Sequence, residues 1–474
     1  MTSHATPLVL GCLLALATLD ASAATGDARV VAEPIVPSLC GQPLDATLQA
    51  GDRIFSDAQE QNAPDTARIQ AALDTCAAAG GRSAVLLRAA AGNAFLSGPL
   101  NVRDNVILLI DAGVTLFASR QPSDYQIAGA NACGKAAASS GGCRALLNLK
   151  GKSLGVMGLR DGAGRQGTID GRGDLPMLGG RDSWWQFGEK AKAANLTQNS
   201  PDLIKVQNAS DVSVYHVNLI NAPYFHLFAH IADGVTIWGM RVKSSARSPN
   251  TDGLDLDSVS NATLYDNDVM SGDDGVAIKA IASKSANITV RNSRFYGTHG
   301  ISFGSDLMHG VDNVLIDGNS VLGSDADGAR STDNNGLRIK TSLAKGGPVN
   351  DVTYRNTCLF GVANALVINP LYGGGGGGGG TVPTFTKIVV NGLKAQDSPK
   401  GKGNLVQGYD ASTPLDLVLA NVSVDVTALR ANNARIGVDR SNLQLTADST
   451  ATTYATAVSG AVPECASKPV FPAL

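Results

Sequence analysis

A short strand motif recurs through the middle of this chain of 474 residues and constrains its fold more than any other feature. Each copy has two apolar residues separated by one other residue, and most copies follow a Gly, Asn or Asp. The copies begin at Val212, Val235, Ala262, Ile288, Val314, Val352 and Ile388. The first six starts lie 23, 27, 26, 26 and 38 residues apart. Repeats of this length that contain short strands indicate a solenoid.

A second short strand lies inside each repeat. Its copies begin at Leu254, Val276, Ile301, Leu337 and Leu366, in most cases directly after a glycine. We predict an all-β fold, a single-stranded right-handed parallel β-helix, because equivalent strands of successive repeats then stack in register. A β-sandwich or a propeller is the alternative, but the repeats of those folds do not carry this strand register. The charged fraction of 17% and the 54 glycines also favour an all-β chain.

One short helix is predicted ahead of the repeats, over residues 65–76. Asp65 is suited to the N-cap position, and Ile69 and Leu73 have the spacing of a buried helical face. We expect this helix to cap the N-terminal end of the β-helix, where the first coil would otherwise expose its core.

Residues 1–23 have the composition of a secretory signal peptide. Residues 7–19 form a short apolar run, and Ala21-Ser22-Ala23 provides the small residues of a cleavage site. The run is too short to cross a membrane, and no later segment resembles a membrane span. We therefore predict a secreted protein in which residues 24–474 form a single β-helix domain. Residues after about 400 are expected to form the C-terminal coils and tail.

Six cysteines remain once the signal peptide is removed, and an even number in an exported protein favours disulfides. Six cysteines allow 15 pairings, so the count alone leaves the connectivity open. Proximity in the chain suggests the pair Cys133–Cys143. We then expect Cys40–Cys76 to join the N-terminal segment and Cys358–Cys465 to hold the C-terminal tail. No pair has the spacing of a zinc site.

The overall charge gives no reason to expect a polyanionic partner. The formal net charge is −3, and loss of Asp20 with the signal peptide brings it to −2. Neither nucleic acid nor a membrane is therefore an expected partner, and a solenoid with capped ends is expected to be a monomer. An acidic substrate would require a local basic site on the surface.

Four polar clusters occur at the same phase of successive repeats. They are Asn250-Thr251-Asp252, Gly272-Asp273-Asp274, Thr298-His299-Gly300 and Arg338-Ile339-Lys340. Asp252, Asp274 and His299 each precede the aligned glycine, so they are expected to form one column with coils about 4.8 Å apart. Arg338 and Lys340 are two residues apart and both face outward.

This column contains the groups that glycoside hydrolysis requires. Crowded carboxylates disfavour joint ionisation, so one remains protonated beside an ionised neighbour. The protonated acid donates to the glycosidic oxygen, and the ionised base activates water. Arg338 and Lys340 are suited to hold the carboxylate of a uronic acid.

Each of these residues has a structural interpretation as well. Asp-Gly pairs are ordinary turn chemistry, and stacked Asn or Asp residues form ladders at solenoid corners. That reading applies to the Asn-Xaa-Ser/Thr sequences at Asn261 and Asn287. A structural role is also predicted for the other histidines, His216, His226, His230 and His309. Six such residues occur at the same position of the repeat in four successive copies. We therefore expect the polar clusters to have a functional role.

The four clusters lie in longer segments that resemble the signature motifs of the polygalacturonases, glycoside hydrolase family 28. These segments are residues 248–258, 271–279, 297–302 and 336–340. The similarity is closest to secreted bacterial endopolygalacturonases. It extends to residues 167–171, 183–185, 219–223 and 225–226, and covers most of residues 40–395.

The resemblance implies inverting hydrolysis of α-1,4-linked galacturonan without a metal or cofactor. It implies that Asp273 is the general acid, that Asp252 and Asp274 activate water, and that His299 assists them. It also implies that Arg338, Lys340 and Tyr372 bind the substrate, the two cations through its carboxylate. Inverting enzymes generally separate the acid and the base by about 6.5–9.5 Å. Residues on neighbouring coils could lie closer together, so coil spacing alone would not have predicted inversion.

Two local departures accompany the resemblance, and residues after about 400 match it only weakly. Thr298 replaces the glycine that usually precedes the motif histidine, while His299 itself is retained. The run Gly373–Gly380 is interpreted as a flexible loop beside the cleft. Ser302 lies in a Gly-Xaa-Ser-Xaa-Gly pattern, but a nucleophile elbow needs a helix directly after the strand, and none is predicted here. Ser302 is therefore interpreted as an ordinary strand residue.

Four other functions compete with an endo-acting hydrolase. An exo-polygalacturonase would share every catalytic residue and differ in loops that close the cleft. A rhamnogalacturonan hydrolase would share the fold but should match the Arg338–Lys340 pair less well. A calcium-dependent pectate lyase would need a carboxylate calcium site and a basic proton abstractor. A non-enzymatic, β-helical carbohydrate-binding protein explains the repeat but leaves the six in-phase residues unexplained.

Overall fold

A computed structural model describes residues 23–374, 381–399 and 403–474 of the chain. The predicted signal peptide, except for Ala23, lies outside the described residues, as do residues 375–380 of the glycine run. Among the helices of the described ranges, none has the length and apolar character needed to cross a membrane.

Residues 44–170 contain nine strands. They are β1 (Leu44–Asp45), β2 (Ser83–Arg88), β3 (Ala94–Ser97), β4 (Leu100–Val102), β5 (Val106–Ile110), β6 (Thr115–Ala118), β7 (Ala136–Ala137), β8 (Leu147–Gly158) and β9 (Gly167–Asp170). The pairings among these strands are parallel, for example β2 with β5 and β6 with β9. β7 instead pairs in antiparallel fashion with β10 (Thr197–Gln198), apart from the helical stack.

The central coils contain the two strand motifs of the repeat. Their strands are β11 (Ile204–Tyr215), β12 (Val217–Ile220), β13 (Leu227–Trp238), β14 (Arg241–Lys243), β15 (Leu254–Tyr265), β16 (Asp268–Met270), β17 (Val276–Lys279), β18 (Ser285–Arg291), β19 (Arg294–Tyr296), β20 (Ile301–Phe303), β21 (Val311–Asp317) and β22 (Ser320–Leu322). In β15, one continuous strand contains both motifs, and it pairs with β17 through its first half and with β18 through its second half.

The C-terminal coils continue well past residue 400. Their strands are β23 (Asn335–Lys340), β24 (Pro348–Phe360), β25 (Asn364–Asn369), β26 (Thr384–Gln396), β27 (Asn404–Gln407), β28 (Leu415–Val424), β29 (Ala428–Asn432), β30 (Ala434–Ser441), β31 (Gln444–Leu445) and β32 (Thr452–Ala455). Every pairing between them is parallel, as it is throughout the main stack of 30 strands in the described residues. This architecture is a parallel β-helix, as predicted.

The register of the stack agrees with the sequence repeat residue by residue. Val212 pairs with Val235, and the alignment continues through each later copy of the motif. The remaining aligned residues are Ala262, Ile288, Val314, Val352 and Ile388. The second motif aligns equally, through Leu254, Val276, Ile301, Leu337 and Leu366. Both predicted strand series are therefore confirmed.

Apolar side chains of both motifs fill the interior of the coils. Val235, Ile288 and Leu337 are fully buried, and burial of such side chains contributes about 1.5–3 kcal/mol each. At one corner, Asn287 donates to Asn261 and Asn313 donates to Asn287, so the predicted asparagine ladder is present. These stacked amides satisfy one another where the chain turns between strands.

In the part of the chain that the structure describes, three α-helices lie outside the coils: α1 (Asp57–Gln61), α2 (Thr66–Ala79) and α3 (Trp184–Ala193). The same part has 3₁₀ turns at Pro122–Tyr125 and Tyr372–Gly374. The predicted capping helix is α2, and Ile69 and Leu73 are buried as expected. α1 and α3 were not predicted, since their short patterns lie inside connections between strands.

Asp65 precedes α2 as predicted, but its carboxylate does not cap the helix. It accepts from the backbone N–H of Leu96 at 2.7 Å and from Arg68. The predicted N-cap position is confirmed, while the hydrogen bond of the carboxylate goes to a backbone donor of the adjacent coil that the sequence pattern does not show.

Both ends of the described chain run across the coils rather than along them. The N-terminal segment, residues 24–29, bonds to side chains of several coils, including Thr353, Asn313 and Thr289. The C-terminal tail returns to the middle of the molecule, where the carbonyl of Ala473 accepts from Arg241. Each end therefore ties coils together that are distant in sequence.

The six cysteines of the described residues form three disulfides with the predicted pairing. They are Cys40–Cys76, Cys133–Cys143 and Cys358–Cys465. The first joins the N-terminal segment to α2, and the third holds the C-terminal tail against β24. The predicted connectivity is confirmed.

Candidate active site

The four polar clusters meet on one face because four strands are in register. Leu254 of β15, Val276 of β17, Ile301 of β20 and Leu337 of β23 pair in sequence, and each directly follows an aligned glycine. One of these glycines has no room for a side chain: a Cβ atom on Gly300 would lie 2.5 Å from neighbouring carbonyl oxygens. Its φ of 102° adds a second reason for glycine.

Asp273 and His299 are in direct contact. The Nδ1 atom of His299 lies 2.8 Å from Oδ1 of Asp273, and the backbone N–H of Asp274 donates to the same oxygen. Burial raises the pKa of Asp273, but the hydrogen bond and charge of His299, together with the charge of Lys340, outweigh it and bring the pKa below its ordinary value. The contacts with His299 and Lys340 thus favour the ionised form of Asp273.

Asp274 has both carboxylate oxygens engaged. Lys340 donates to Oδ2 at 2.8 Å, and the hydroxyl of Ser302 donates to Oδ1 at 2.6 Å. Arg338 adds a guanidinium nitrogen 3.7 Å from Oδ1. Two cations and a hydroxyl therefore surround the buried carboxylate of Asp274.

Asp252 is the least satisfied of the three acids. Its Oδ1 atom is buried and has no hydrogen-bond partner in the described part of the chain, while Oδ2 lies 3.7 Å from the ammonium of Lys279. Burial, followed by the charges of Asp255 and Asp273, raises the pKa of Asp252 well above its ordinary value, and Lys279 opposes the rise. A carboxylate with a raised pKa and a free oxygen is suited to accept a proton from water.

Lys279 and Asp255 were not predicted as site residues. The ammonium of Lys279 lies 2.5 Å from Oδ2 of Asp255, and burial raises the pKa of Asp255 to about 7 against the opposing charge of Lys279. The ammonium also lies 4.7 Å from the centre of the Phe225 ring. The sequence did contain a signal for these two residues. Side chains alternate between the two faces of β15 and β17, so the outward residues of both strands face the same cleft as the column of Asp252, Asp274 and His299.

Ser302 also reaches the site, in contrast to its interpretation as an ordinary strand residue. It pairs in register with Arg338 and faces the same side of the sheet, so its hydroxyl meets Asp274. The described chain continues from β20 into a turn and the strand β21, without the helix that a nucleophile elbow requires. Ser302 is thus a hydrogen-bond donor to an acid.

Arg338, Lys340 and Tyr372 form a cationic patch at the C-terminal side of the acids. The Arg338 guanidinium and the Lys340 ammonium lie 5.3 and 5.6 Å from the centre of the Tyr372 ring. Asp333 accepts from one guanidinium nitrogen at 2.8 Å, while Nε and the other terminal nitrogen find no hydrogen-bond acceptor among the residues described. These are buried donor groups that the described residues leave unsatisfied.

His226 contacts the backbone of Asp252. It is fully buried, and its Nδ1 and Nε2 atoms contact the carbonyl oxygen of Asp252 and the hydroxyl of Ser244 at 2.9 and 2.8 Å. Burial lowers the pKa of His226 to about 4. It is a neutral residue that holds the backbone of Asp252, in agreement with its predicted structural role.

Asp273, Asp274 and His299 have ligand atoms within 4.8 Å of one another, the spacing of a metal site. The donor set does not suit a divalent cation, because Ser302 and Lys340 occupy both oxygens of Asp274. An ammonium at this position supplies the positive charge that a metal would otherwise provide. Side chains of the site thus supply the positive charge that offsets its carboxylates.

The fold and the site define a β-helical glycoside hydrolase. The chain belongs to glycosyl hydrolases family 28, whose family model matches residues 115–438. It is 34% identical to a polygalacturonase of Ralstonia nicotianae, over 87% of this chain and 84% of the relative. It is also 34% identical to an endo-polygalacturonase of Pectobacterium carotovorum, over 85% and 91% of the two chains.

The solved structure of a polygalacturonase from Erwinia carotovora is similar over nearly the whole fold. The TM-score is 0.70 with 31% sequence identity, covering 92% of this chain and 100% of that one. The sequence-based assignment to this family is confirmed.

Proposed function

We propose that this protein is an endo-acting polygalacturonase that hydrolyses α-1,4-galacturonosidic bonds of de-esterified pectin. One observation carries the proposal: an acid paired with a histidine lies beside a second acid with a free oxygen, and a cationic patch adjoins them. The endo-polygalacturonase and polygalacturonase names of relatives at 34% identity support the same substrate and mode. The predicted signal peptide supports secretion, and the capped solenoid supports a monomer.

In the proposed first half of the reaction, Asp273 delivers a proton to the glycosidic oxygen. His299 is the partner for proton exchange, since its Nδ1 atom lies 2.8 Å from Oδ1 of Asp273. As the bond between the anomeric carbon and the glycosidic oxygen breaks, this oxygen becomes a hydroxyl on the departing sugar. In this scheme His299 resupplies the proton that Asp273 gives up.

In the second half, a water attacks the anomeric carbon from the opposite face. Asp252 takes the proton of this water through its free Oδ1, and Asp274 helps to orient the water. The configuration at the anomeric carbon inverts, and both products are saturated sugars. Proton exchange with solvent then returns Asp252 and the Asp273–His299 pair to their starting states.

The cationic patch is the proposed carboxylate site for the sugar next to the cleaved bond. Arg338 and Lys340 supply two positive charges for this carboxylate. Tyr372 packs against both cations and against the sugar ring. A methyl ester removes the negative charge, so de-esterified pectin is the preferred substrate.

Mass analysis of the products tests this proposal. Mature protein is incubated with polygalacturonate in EDTA, and saturated oligogalacturonides of mixed length are expected. Products of only one or two sugars would replace endo by exo action. Products lighter by one water would mean a lyase, and the absence of products would direct the search to rhamnogalacturonan or to a binding function.

A further inference from the structure

Residues 24–29 cross the outside of the coils, and we call this segment the strap. In the sequence it directly follows the predicted signal peptide. The strap bonds to residues of the first strand motif, whereas the polar clusters adjoin the strands of the second motif. Its contacts are therefore separate from the candidate active site and are not explained by the chemistry above.

The first residues of the strap bond to two neighbouring coils. The backbone N–H of Ala24 donates to Oγ1 of Thr353 at 2.9 Å, and only 3% of Ala24 is exposed. Oδ1 of Asn313 accepts from the backbone N–H groups of Thr25 and Gly26 at 2.8 and 2.9 Å. The amide nitrogen of Asn313 also donates to the carbonyl oxygen of Gly26 at 3.1 Å. One end of the strap is thus fixed by both backbone donors and a backbone acceptor.

Asp27 fixes the other end of the strap. Its Oδ2 atom accepts from the hydroxyl of Thr263 at 2.8 Å, and its backbone N–H donates to Oγ1 of Thr289 at 3.0 Å. Arg29 pairs with the Asp27 carboxylate at 2.7 Å and donates to the carbonyl oxygen of Val235 at 3.0 Å. The Asp27 side chain is almost fully buried, so water competes little for these bonds.

Gly26 allows the strap to lie close to the coils. A Cβ atom on Gly26 would clash with Oγ1 of Thr289 and would lie 3.0 Å from Cβ of Leu315. The φ of Gly26 is 69°, which also favours glycine. The chain beyond the strap is packed less closely, since Val30 and Ile35 are exposed. The seat of the strap therefore depends on one glycine.

Four residues that bond to the strap lie in the coils that carry the four polar clusters. In each coil, the strand that bonds to the strap either follows the cluster directly or is the next strand along the chain. The four pairs of strap partner and cluster residue are Thr263 with Asp252, Thr289 with Asp274, Asn313 with His299, and Thr353 with Arg338. One segment of six residues therefore connects all four coils that build the candidate active site.

A solenoid has contacts mainly between neighbouring coils, so groups of coils can open separately. Parallel ladders hold each coil to the next, and the strap adds bonds that span all four. We propose that the strap is a latch that couples the four coils of the candidate active site and suppresses their separate opening. This role goes beyond the proposed function, because it does not depend on the substrate.

Native-state hydrogen exchange of Gly26→Ala in the mature protein tests the latch. The added Cβ dislodges the strap and changes no residue of the coils. We expect the amides of β17, β20 and β23 to exchange about tenfold faster than in the wild type, or more, because the lost bonds favour separate opening. The amides of β2 and β5 precede every strap partner named above and should keep wild-type rates.

Gly41→Ala is the matched control for backbone strain. Gly41 has a similar φ of 75°, but a Cβ atom there meets no atom of the described chain within 4 Å. Its exchange rates in β17, β20 and β23 should equal those of the wild type. Thr263→Val is a second test from the side of the coils, since it keeps the side-chain shape and removes the hydroxyl that bonds Asp27. It should accelerate exchange in the same strands by a smaller factor.

Two results would overturn the latch. Equal acceleration in β2 and β5 would show a loss of global stability, and wild-type exchange in β17, β20 and β23 for both Gly26→Ala and Thr263→Val would show a strap without influence on the coils. At 25 °C, kcat and KM of both variants should stay at the wild-type values, because the strap lies away from the acids. Hydrogen exchange requires no substrate, so failure of the latch is distinguished from failure of the proposed function.

Discussion

The Nδ1 atom of His299 lies 2.8 Å from Oδ1 of Asp273, and the backbone N–H of His299 donates to the carbonyl oxygen of Asp273 at 2.8 Å. The two residues are thus joined through both side chain and backbone across neighbouring coils. This double connection fixes the imidazole beside the acid, so a proton can pass between them without movement of the chain.

Replacing Asp273 tests its proposed role as the general acid. Asp273→Asn is expected to lower kcat on polygalacturonate by about 10²–10⁴-fold, the usual contribution of general acid catalysis. Substrate binding should persist because Arg338, Lys340 and Tyr372 are unchanged. The measurements are kcat from reducing-end release and Kd from calorimetry with an oligogalacturonide.

Asp448→Asn is the matched control, since Asp448 lies on an exposed turn of the last coils. Wild-type turnover is expected for it. Full activity of Asp273→Asn would show that another group protonates the leaving oxygen.

Replacing Asp255 or Lys279, the two charged residues beside Asp252, is expected to shift the pH dependence of kcat/KM in opposite directions. The proposed base must be ionised, so the acid limb of kcat/KM follows the pKa of Asp252. The charge of Asp255 raises this pKa and the charge of Lys279 lowers it. Asp255→Asn should therefore move the acid limb to lower pH, and Lys279→Gln should move it to higher pH, each by roughly one pH unit.

A pH–rate profile of both variants measures these shifts. Lys284→Gln is the control, because Lys284 and Asp312 form an exposed pair 3.8 Å apart. Shifts in the same direction for Asp255→Asn and Lys279→Gln would exclude an electrostatic effect on Asp252. Thermal melting of each variant identifies any loss of fold.

Ser302→Ala distinguishes a hydrogen-bond donor from a nucleophile. The variant loses the 2.6 Å bond to Asp274, and a charged bond of this kind is worth about 1.5–3 kcal/mol. We expect kcat to fall about tenfold or somewhat more while KM stays near the wild-type value. Complete loss of turnover, with the fold intact, would mean that Ser302 takes part in covalent chemistry.

Variants of the cationic patch test whether the shape of the Arg338 side chain matters as well as its charge. Arg338→Lys keeps the charge but removes the planar fork, so KM for polygalacturonate should rise about tenfold. Tyr372→Phe keeps the ring that lies against both cations and should leave KM nearly unchanged. An unchanged KM for Arg338→Lys would place the substrate carboxylate elsewhere.

The disulfide Cys358–Cys465 is expected to hold the C-terminal tail, since its cysteines are 107 residues apart. Replacing both by Ser should lower stability by about 2–5 kcal/mol and expose the tail to protease. Cys133–Cys143 spans only 10 residues, so its removal should have a smaller effect. Urea unfolding and limited proteolysis measure both, and equal losses would contradict the loop-closure argument.

The strand repeat was predictable because it is a local property of the chain. A strand has a side-chain period of two, and a coil returns the chain to the same face after one repeat. The alignment of Val276 with Ile301, and hence of Asp274 with His299, follows from these two periods. The same argument placed Arg338 and Lys340 on the outer face.

The helices were predictable only where their pattern was long. α2 has 14 residues with buried Ile69 and Leu73, whereas α1 has 5 and α3 has 10. Short helices in connections between strands depend on the contacts around them. The hydrogen bond of the Asp65 carboxylate was not predictable for the same reason, because its partner Leu96 belongs to a coil strand.

The sequence by itself determined the β-helix, the register of its coils and the face on which six polar residues gather, because each follows from spacing along the chain. Tertiary structure alone decided that Lys279 lies between Asp252 and Asp255, that Ser302 bonds Asp274, and that the strap connects four coils. A pKa or an ion pair depends on burial and on charges brought from other coils, so no local pattern contains it.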